Sequence, residues 1–309
     1  MKILISFLLT IMMLWGHAQD KKLCITIDDL SAVVYGIPGN DFQWEINRSL
    51  VSALADHGAI GIGYVNEGKL YHQGKVDTAR VNMLRHWLKN GQELGNHTFS
   101  HQNYHRVTFK AYTRDILQGE RILRPLMEEY GLELKYFRHP YLRSGMRHGH
   151  ADSLLQFLQK HNYTEAPVTI DNEEYLFALA YSRAYRKQDN ALMEKIGKDY
   201  VGYMEDKLLY FEAQAIKLFN RPIHQILLIH ANLLNAHYLD DLMKVYQGHG
   251  YTFVSQGEAL EDPAYQEKVT RFGDWGISWL DRWALSQGKK GDFFQADPKT
   301  PDYIREMTQ

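Results

Sequence analysis

The sequence predicts an α/β fold of parallel strands wrapped by helices and closing into a barrel. Two patterns carry that expectation. Short apolar runs alternate with amphipathic helical stretches about seven times along the 309 residues, the signature of parallel strands with helices outside. The residues suited to chemistry fall at or just after the ends of those apolar runs, the end at which a barrel of this build carries its site. A chain this long is large for one domain but within the range of single barrels.

The elements follow in order. Leu23–Ile27 reads as a buried strand ending in Asp28-Asp29, and Phe42–His57 as a helix stopped by Gly58. Ala59–Val65 is the second strand and Val76–Lys89 a helix ending at Asn90-Gly91. Glu93-Leu94-Gly95 is a short third strand leading to His97. Phe109–Tyr130 has the spacing of one long helix closed by Gly131, with Pro125 positioned to kink or shorten it. Leu134–Phe137 is the fourth strand, Ala151–His161 a helix, and Thr164–Ile170 the fifth strand. Glu173–Asn220 is a helical insertion of two or more helices, placed to cover one side of the barrel mouth. Gln225–Ile229, a helix over His237–Gln247, and Tyr251–Val254 complete the pattern. The expected domains are a signal over 1–18, a catalytic unit over 19–255 with its insertion at about 173–220, and an extension over 256–309 packed on the barrel.

Bulk properties narrow the partners. The net charge is -2 and the sequence pI near 6.7, so nothing asks for nucleic acid or an acidic membrane surface. The 45% hydrophobic fraction suffices for a core. The 20 Tyr and 6 Trp suit sugar faces as well as ordinary packing. Trp279 and Trp283 share one helical face in the extension, where packing is the plainer reading. Lys2, the apolar Ile3–Trp15 run and the small residues of Gly16-His17-Ala18 read as a secretory signal, with an uncleaved anchor as the alternative. That places the protein in the periplasm or medium of a bacterium, with no stable membrane span after cleavage. Cys24, the one cysteine, lies within the first strand as a small hydrophobe and excludes an intrachain disulfide.

The chemistry rests on five fragments: Thr26-Ile27-Asp28-Asp29, His97-Thr98-Phe99-Ser100-His101, Arg138-His139-Pro140-Tyr141, Asp171, and Leu228-Ile229-His230. His97 and His101 are four apart, so a helical segment would turn both rings toward one ion. His105, a further turn along, is either an alternative ligand or surface. Zinc takes imidazole and carboxylate ligands and keeps an open position in catalytic sites. Asp29 is the natural third ligand, which leaves Asp28 beside the ion as a base toward water. Arg138 is a partner for Asp28, and the Tyr141 N–H a donor to an oxyanion. His230 is either a satisfied core histidine or an acid for the leaving amine, with Asp171 placed to orient it and raise its pKa.

In this order the fragments resemble the successive motifs of the polysaccharide deacetylases, the NodB-homology group or carbohydrate esterase family 4. The resemblance runs from about Lys22 to Val254. It implies a distorted (β/α) barrel of seven strands that binds a divalent ion, most often Zn2+, and removes acetyl groups from N-acetylated glycans. By motif it implies Asp28 as base, Asp29, His97 and His101 as metal ligands, and Arg138 as the tether of Asp28. It further implies Tyr141 as oxyanion donor, Leu228 in the acetyl pocket, and His230, paired with Asp171, as acid. Asn172 stands where the family often has tryptophan, which makes Trp275 and Trp279 candidates for the missing wall. Leu142 stands where glycine or arginine is frequent, and the insertion is long.

The leading expectation is therefore metal-dependent deacetylation of an N-acetylglucosamine polymer or peptidoglycan. An acetyl esterase on xylan-type sugars or another amidase would use the same site. A non-catalytic glycan-binding barrel is the third reading, and the filled base and acid positions argue against it.

Overall fold

In the computed structural model, which describes residues 20–309, the chain runs β1 (Lys21–Leu30), α1 (Asn40–Asp56), β2 (Ile62–Val65), the small hairpin β3 (Tyr71–His72) and β4 (Lys75–Val76), then α2 (Thr78–Lys89) and β5 (Glu93–Asn96). It continues with α3 (Phe109–Gln118), α4 (Leu123–Glu129), β6 (Tyr136–Phe137), α5 (His148–Lys160) and β7 (Thr164–Glu165). The helical insertion is α6 (Glu174–Arg186) and α7 (Asn190–Phe219), followed by β8 (Gln225–His230), α8 (Leu233–Gly248) and β9 (Tyr251–Phe253). The tail carries α9 (Gln256–Ala259), α10 (Trp279–Ser286) and α11 (Asp302–Thr308). The expected signal segment lies outside the described residues. Among the described residues no helix is long and apolar enough to cross a membrane.

The main sheet is parallel throughout, in the order β7-β6-β5-β2-β1-β8, with β9 on the first residues of β1. It curls into a distorted barrel surrounded by helices. The expected fifth strand explains the distortion. Its start pairs with β6, and the Ala166 N–H donates to Phe137 O at 2.8 Å. Pro167 then interrupts the ladder, since it has no N–H to give. Beyond it, Thr169 and Ile170 donate to Ile226 O, each at 3.0 Å. Residues 164–170 thus cross from β6 to β8, and only two of them remain a regular strand.

Alternation along β1 divides two cores. Leu23, Ile25 and Ile27 face the helices and join the larger cluster. Cys24 faces the interior with Ile62, Tyr64, Tyr136 and Ile226. Burial pushes its thiol far above the usual range, so it is a packing residue. The tail shares the outer core, through Trp279, Leu280, Trp283 and Ile304.

The single helix expected over Phe109–Tyr130 is two. Gly119 ends the first because its backbone lies against Thr98; a Cβ there would stand 2.6 Å from the Thr98 carbonyl carbon. The buried Glu67 carboxylate accepts the N–H groups of Ile122 and Leu123, at 2.9 and 3.0 Å, and so starts the second. Pro125 falls in that new first turn, where its missing N–H has no helical partner to lose.

Candidate active site

Asp28 and Asp29 are consecutive, yet both face the same cavity. In a regular strand they would point to opposite faces. The register of β1 against β2 shifts between Ile27 and Leu30, and Asp29 takes φ +72°. That bulge re-aims the second carboxylate. Thr98, His101, Tyr141 and Leu142 also have positive φ. Such backbone is costly for residues other than glycine, and here it gathers around one site.

His97 and His101 meet through a loop and not on a helix, contrary to the expectation from their spacing. Left-handed Thr98 and His101 fold the loop back, and the His101 N–H donates to Thr98 Oγ1 at 3.0 Å. The loop is clamped from both sides. Gly68 donates to Phe99 O at 2.9 Å with no room for a side chain, and Gly119 backs Thr98.

The two rings end 5.0 Å apart, centre to centre. His97 Nδ1–H donates to Arg138 O at 2.8 Å, which leaves Nε2 unprotonated toward Asp29. His97 Nε2 and His101 Nε2 lie 3.8 and 3.6 Å from Asp29 Oδ1. That oxygen is buried and, among the described residues, has no hydrogen-bond partner. The three ligand atoms lie within 4.8 Å of one another. Two imidazole nitrogens and one unpartnered carboxylate oxygen fit a divalent cation. Burial opposes charge on Asp29, but the Lys69 ammonium beside it helps to hold the carboxyl below its ordinary value.

Behind this group lies Arg138, fully buried, with Nη1 3.5 Å from Asp28 Oδ1 and Nη2 donating to Thr26 Oγ1 at 3.0 Å. Its guanidinium stacks over the Tyr64 ring at 4.6 Å. Burial pushes the Asp28 carboxyl up to about 6, opposed by Arg138.

The partner of His230 differs from the expected one. His230 Nδ1 donates to Glu174 Oε2 at 2.8 Å. Glu174 is fully buried, and its other oxygen accepts from Asn232 and Asn235. Burial disfavours the imidazolium, but the Glu174 bond and charge prevail and raise its pKa to about 9. Asp171 is not that partner. Its Oδ1 accepts the Asn172 N–H at 2.9 Å, and burial lifts its carboxyl to about 7 against the pull of Lys207. The reason is helical geometry: α6 begins at Glu174 and delivers that side chain under the ring, while Asp171 precedes the helix.

One cavity of about 970 Å³ is lined by Asp28, Asp29, His97, His101, Tyr141, Asp171, Leu228 and His230. Arg138 lies beneath it. Trp275 and Trp279 do not line it; Trp279 is buried against the tail and faces a second cavity between α5 and residues 265–272. The exposed Tyr175 and the buried Tyr203 of the insertion line the first cavity instead. His105 is neither ligand nor surface. Its Nε2 accepts the Gly145 N–H at 3.0 Å and its Nδ1 meets Asp274 at 3.2 Å, so it pins the tail to the barrel.

Sequence reasoning missed two groups. Glu174 carries no signal beyond being one acid among several after the strand. Lys69 donates to Asp29 O at 2.9 Å from a turn whose sequence marks nothing.

Residues 16–166 match the family model described as polysaccharide deacetylase. A search of curated proteins finds no match. Among solved structures, a peptidoglycan N-acetylglucosamine deacetylase superposes with a TM-score of 0.51 at 16% identity, over 78% of this chain and 88% of that one. The peptidoglycan deacetylase PdaC from Bacillus subtilis gives a TM-score of 0.48 at 16% identity, over 79% and 91% of the two chains. A CE4 family pseudoenzyme from Bacillus anthracis gives 0.46 at 14% identity, over 79% and 66%. At 16% identity the first of these shows a likeness of fold alone.

Proposed function

Taking the chain as a member of the polysaccharide deacetylase family through its residues 16–166, we propose that it is a metal-dependent hydrolase that removes acetyl groups from an N-acetylated glycan. The observation that carries this reading is the meeting of Asp28, Asp29, His97, His101 and His230 at the floor of one cavity. A pseudoenzyme would be expected to lack a member of that set, and here each position is filled.

Asp29, His97 and His101 would hold a divalent ion, most simply Zn2+, which when bound supplies Lewis-acid polarisation of a carbonyl and acidifies water. The residues of the chain do the rest. Asp28 is ionised at neutral pH, since its carboxyl is lifted only to about 6. It accepts the proton of the attacking water as the C–O bond forms. Arg138 holds it in place and keeps it from protonating. The Tyr141 N–H, presented by the turn after Pro140, donates to the oxyanion. Leu228 offers an apolar wall to the acetyl methyl. His230 is held protonated by Glu174 and passes a proton to the leaving nitrogen as the C–N bond breaks, giving acetate and a free amine. Glu174 is thus a positioning residue for the acid. The pattern of Lys2 to Ala18 supports action outside the cytoplasm, where N-acetylated wall glycans are found.

Acetate release from N-acetylglucosamine oligomers and peptidoglycan fragments, with zinc added and with chelator, tests this reading. Chelator-sensitive release is expected. Release from acetylated xylan alone would replace the amide by an ester substrate.

A further inference from the structure

Resting on the deacetylase reading, we infer that Arg282, in the tail beyond the residues that the family model matches, is a positioning residue: it holds the Tyr141–Leu142 turn in the shape that presents the Tyr141 N–H.

The turn is strained. Tyr141 and Leu142 stand consecutively in the left-handed region, at φ +59° and +53°. Neither is a glycine, so right-handed backbone is the default for both. Within the loop, the Leu142 N–H donates to His139 O at 3.0 Å and the Arg143 N–H to Pro140 O at 3.2 Å.

The tail meets this turn at three consecutive residues. Gly276 lies against Tyr141, where a Cβ would stand 1.7 Å from the Tyr141 carbonyl oxygen. Arg282 Nη2 donates to Leu142 O at 2.6 Å. Asp274 pairs with Arg143 at 2.7 Å. The Arg143 pair is exposed, whereas the Arg282 bond is buried and charge-assisted, which makes it the stronger hold.

Arg282 is itself fixed to the barrel. It is 1% exposed, its Nε donates to Ile277 O at 3.3 Å, and its guanidinium lies 4.9 Å from the centre of the Trp279 ring. Its helix, α10, is capped by Ser278, whose Oγ accepts the Asp281 N–H at 3.0 Å. The Trp279 N–H donates to Val168 O at 2.7 Å, in the segment that crosses from β6 to β8. A continuous support thus runs from the barrel wall through α10 to the turn. Burial lowers the Arg282 pKa to about 10, opposed by Glu165, so the side chain is a cation at neutral pH. An apolar side chain would fill this space at less cost. What the guanidinium adds is a directed donor to Leu142 O.

The test compares wild type, Arg282→Lys and Arg282→Ala, each loaded with zinc, on an N-acetylglucosamine oligomer, with and without guanidinium chloride well below denaturing concentration. Arg282 lines the second cavity, of about 810 Å³, which gives the free ion a route to the space the side chain leaves. Arg282→Ala is expected to bind zinc as wild type does, to lose about 10²-fold in kcat with KM changed less than about threefold, and to regain about tenfold with guanidinium but not with urea or sodium chloride. Arg282→Lys keeps the charge without the planar fork and is expected to fall between. Amide exchange, read on the zinc-free proteins, is expected to be about tenfold faster at Leu142 and Arg143 in both variants, with β1 and α10 unchanged.

Wild-type kcat in folded Arg282→Ala, or unchanged exchange at Leu142, would overturn the inference. A loss that guanidinium does not restore, with faster exchange throughout the barrel, would also overturn it and leave Arg282 a residue of fold stability alone. Should Arg282→Ala not fold, wild-type kcat and exchange in Arg282→Lys would overturn it. No acetate from wild type would overturn the deacetylase reading, and the exchange at Leu142 would still decide whether Arg282 holds the turn.

Discussion

Glu174 Oε2 lies 2.8 Å from His230 Nδ1, and this one contact fixes the ring at the strand end and favours its protonated form. The carboxylate is buried and bound on its other oxygen by two asparagines, so it can neither swing away nor be screened by solvent.

The sign of its pH effect follows. His230 has a pKa raised to about 9, so the protonated form, the proton donor of the proposed reaction, persists through neutral pH and is lost as pH rises through that value. Glu174→Gln removes the charge that favours the imidazolium. The alkaline limb of kcat/KM is expected to move down by at least about one pH unit, and kcat at pH 8 to fall by about 10²-fold. A pH profile with its alkaline limb unmoved would remove Glu174 from this role.

Arg138 lies under Asp28 with no exposed surface. Arg138→Leu leaves a buried carboxylate without its cation and is expected to destabilise the fold by about 3–5 kcal/mol, read by urea denaturation. The same variant is expected to push the Asp28 carboxyl above its present value of about 6, shifting the acid limb of activity upward.

Zinc is expected to raise the midpoint of thermal unfolding, since on the proposed reading it would bind the folded Asp29, His97 and His101 group and not the unfolded chain. At a hundredfold excess over the dissociation constant the gain is about 2.7 kcal/mol. His101→Ala is expected to lose the shift. An undiminished shift in that variant would place the ion elsewhere.

Gly119 backs the histidine loop at a distance no side chain fits. Gly119→Ala is expected to cost about 1–3 kcal/mol of stability and to weaken zinc binding by displacing Thr98. Wild-type zinc affinity in this variant would show that the loop tolerates the push.

Much of this was legible in the sequence, for identifiable reasons. The parallel barrel followed from alternation; Asp28, Asp29, His97 and His230 stood out as candidates because they follow strand patterns and His101 because it lies four residues past His97, and the structure brings all five to one cavity. What escaped was set by backbone detail. The bulge that aims Asp29, and the left-handed residues that fold His101 back, are local conformations no periodicity reports. Glu174 escaped because its place under His230 depends on where α6 begins, and one residue of shift would turn it away. Asp171, the acid chosen from its strand-end position, sits before that helix. Lys69 reaches Asp29 from a distant turn, a contact that only the fold creates.

The most direct measurement is zinc content and acetate release on one sample of the Asp28→Asn variant, beside wild type, with an N-acetylglucosamine oligomer as substrate. One zinc per chain with no acetate released is the expected result, because on the proposed reading Asp28 would take the proton while Asp29 and the histidines would hold the ion. Acetate release at the wild-type rate, or loss of zinc with Asp29 intact, would contradict the division of labour between the two carboxylates on which the account rests.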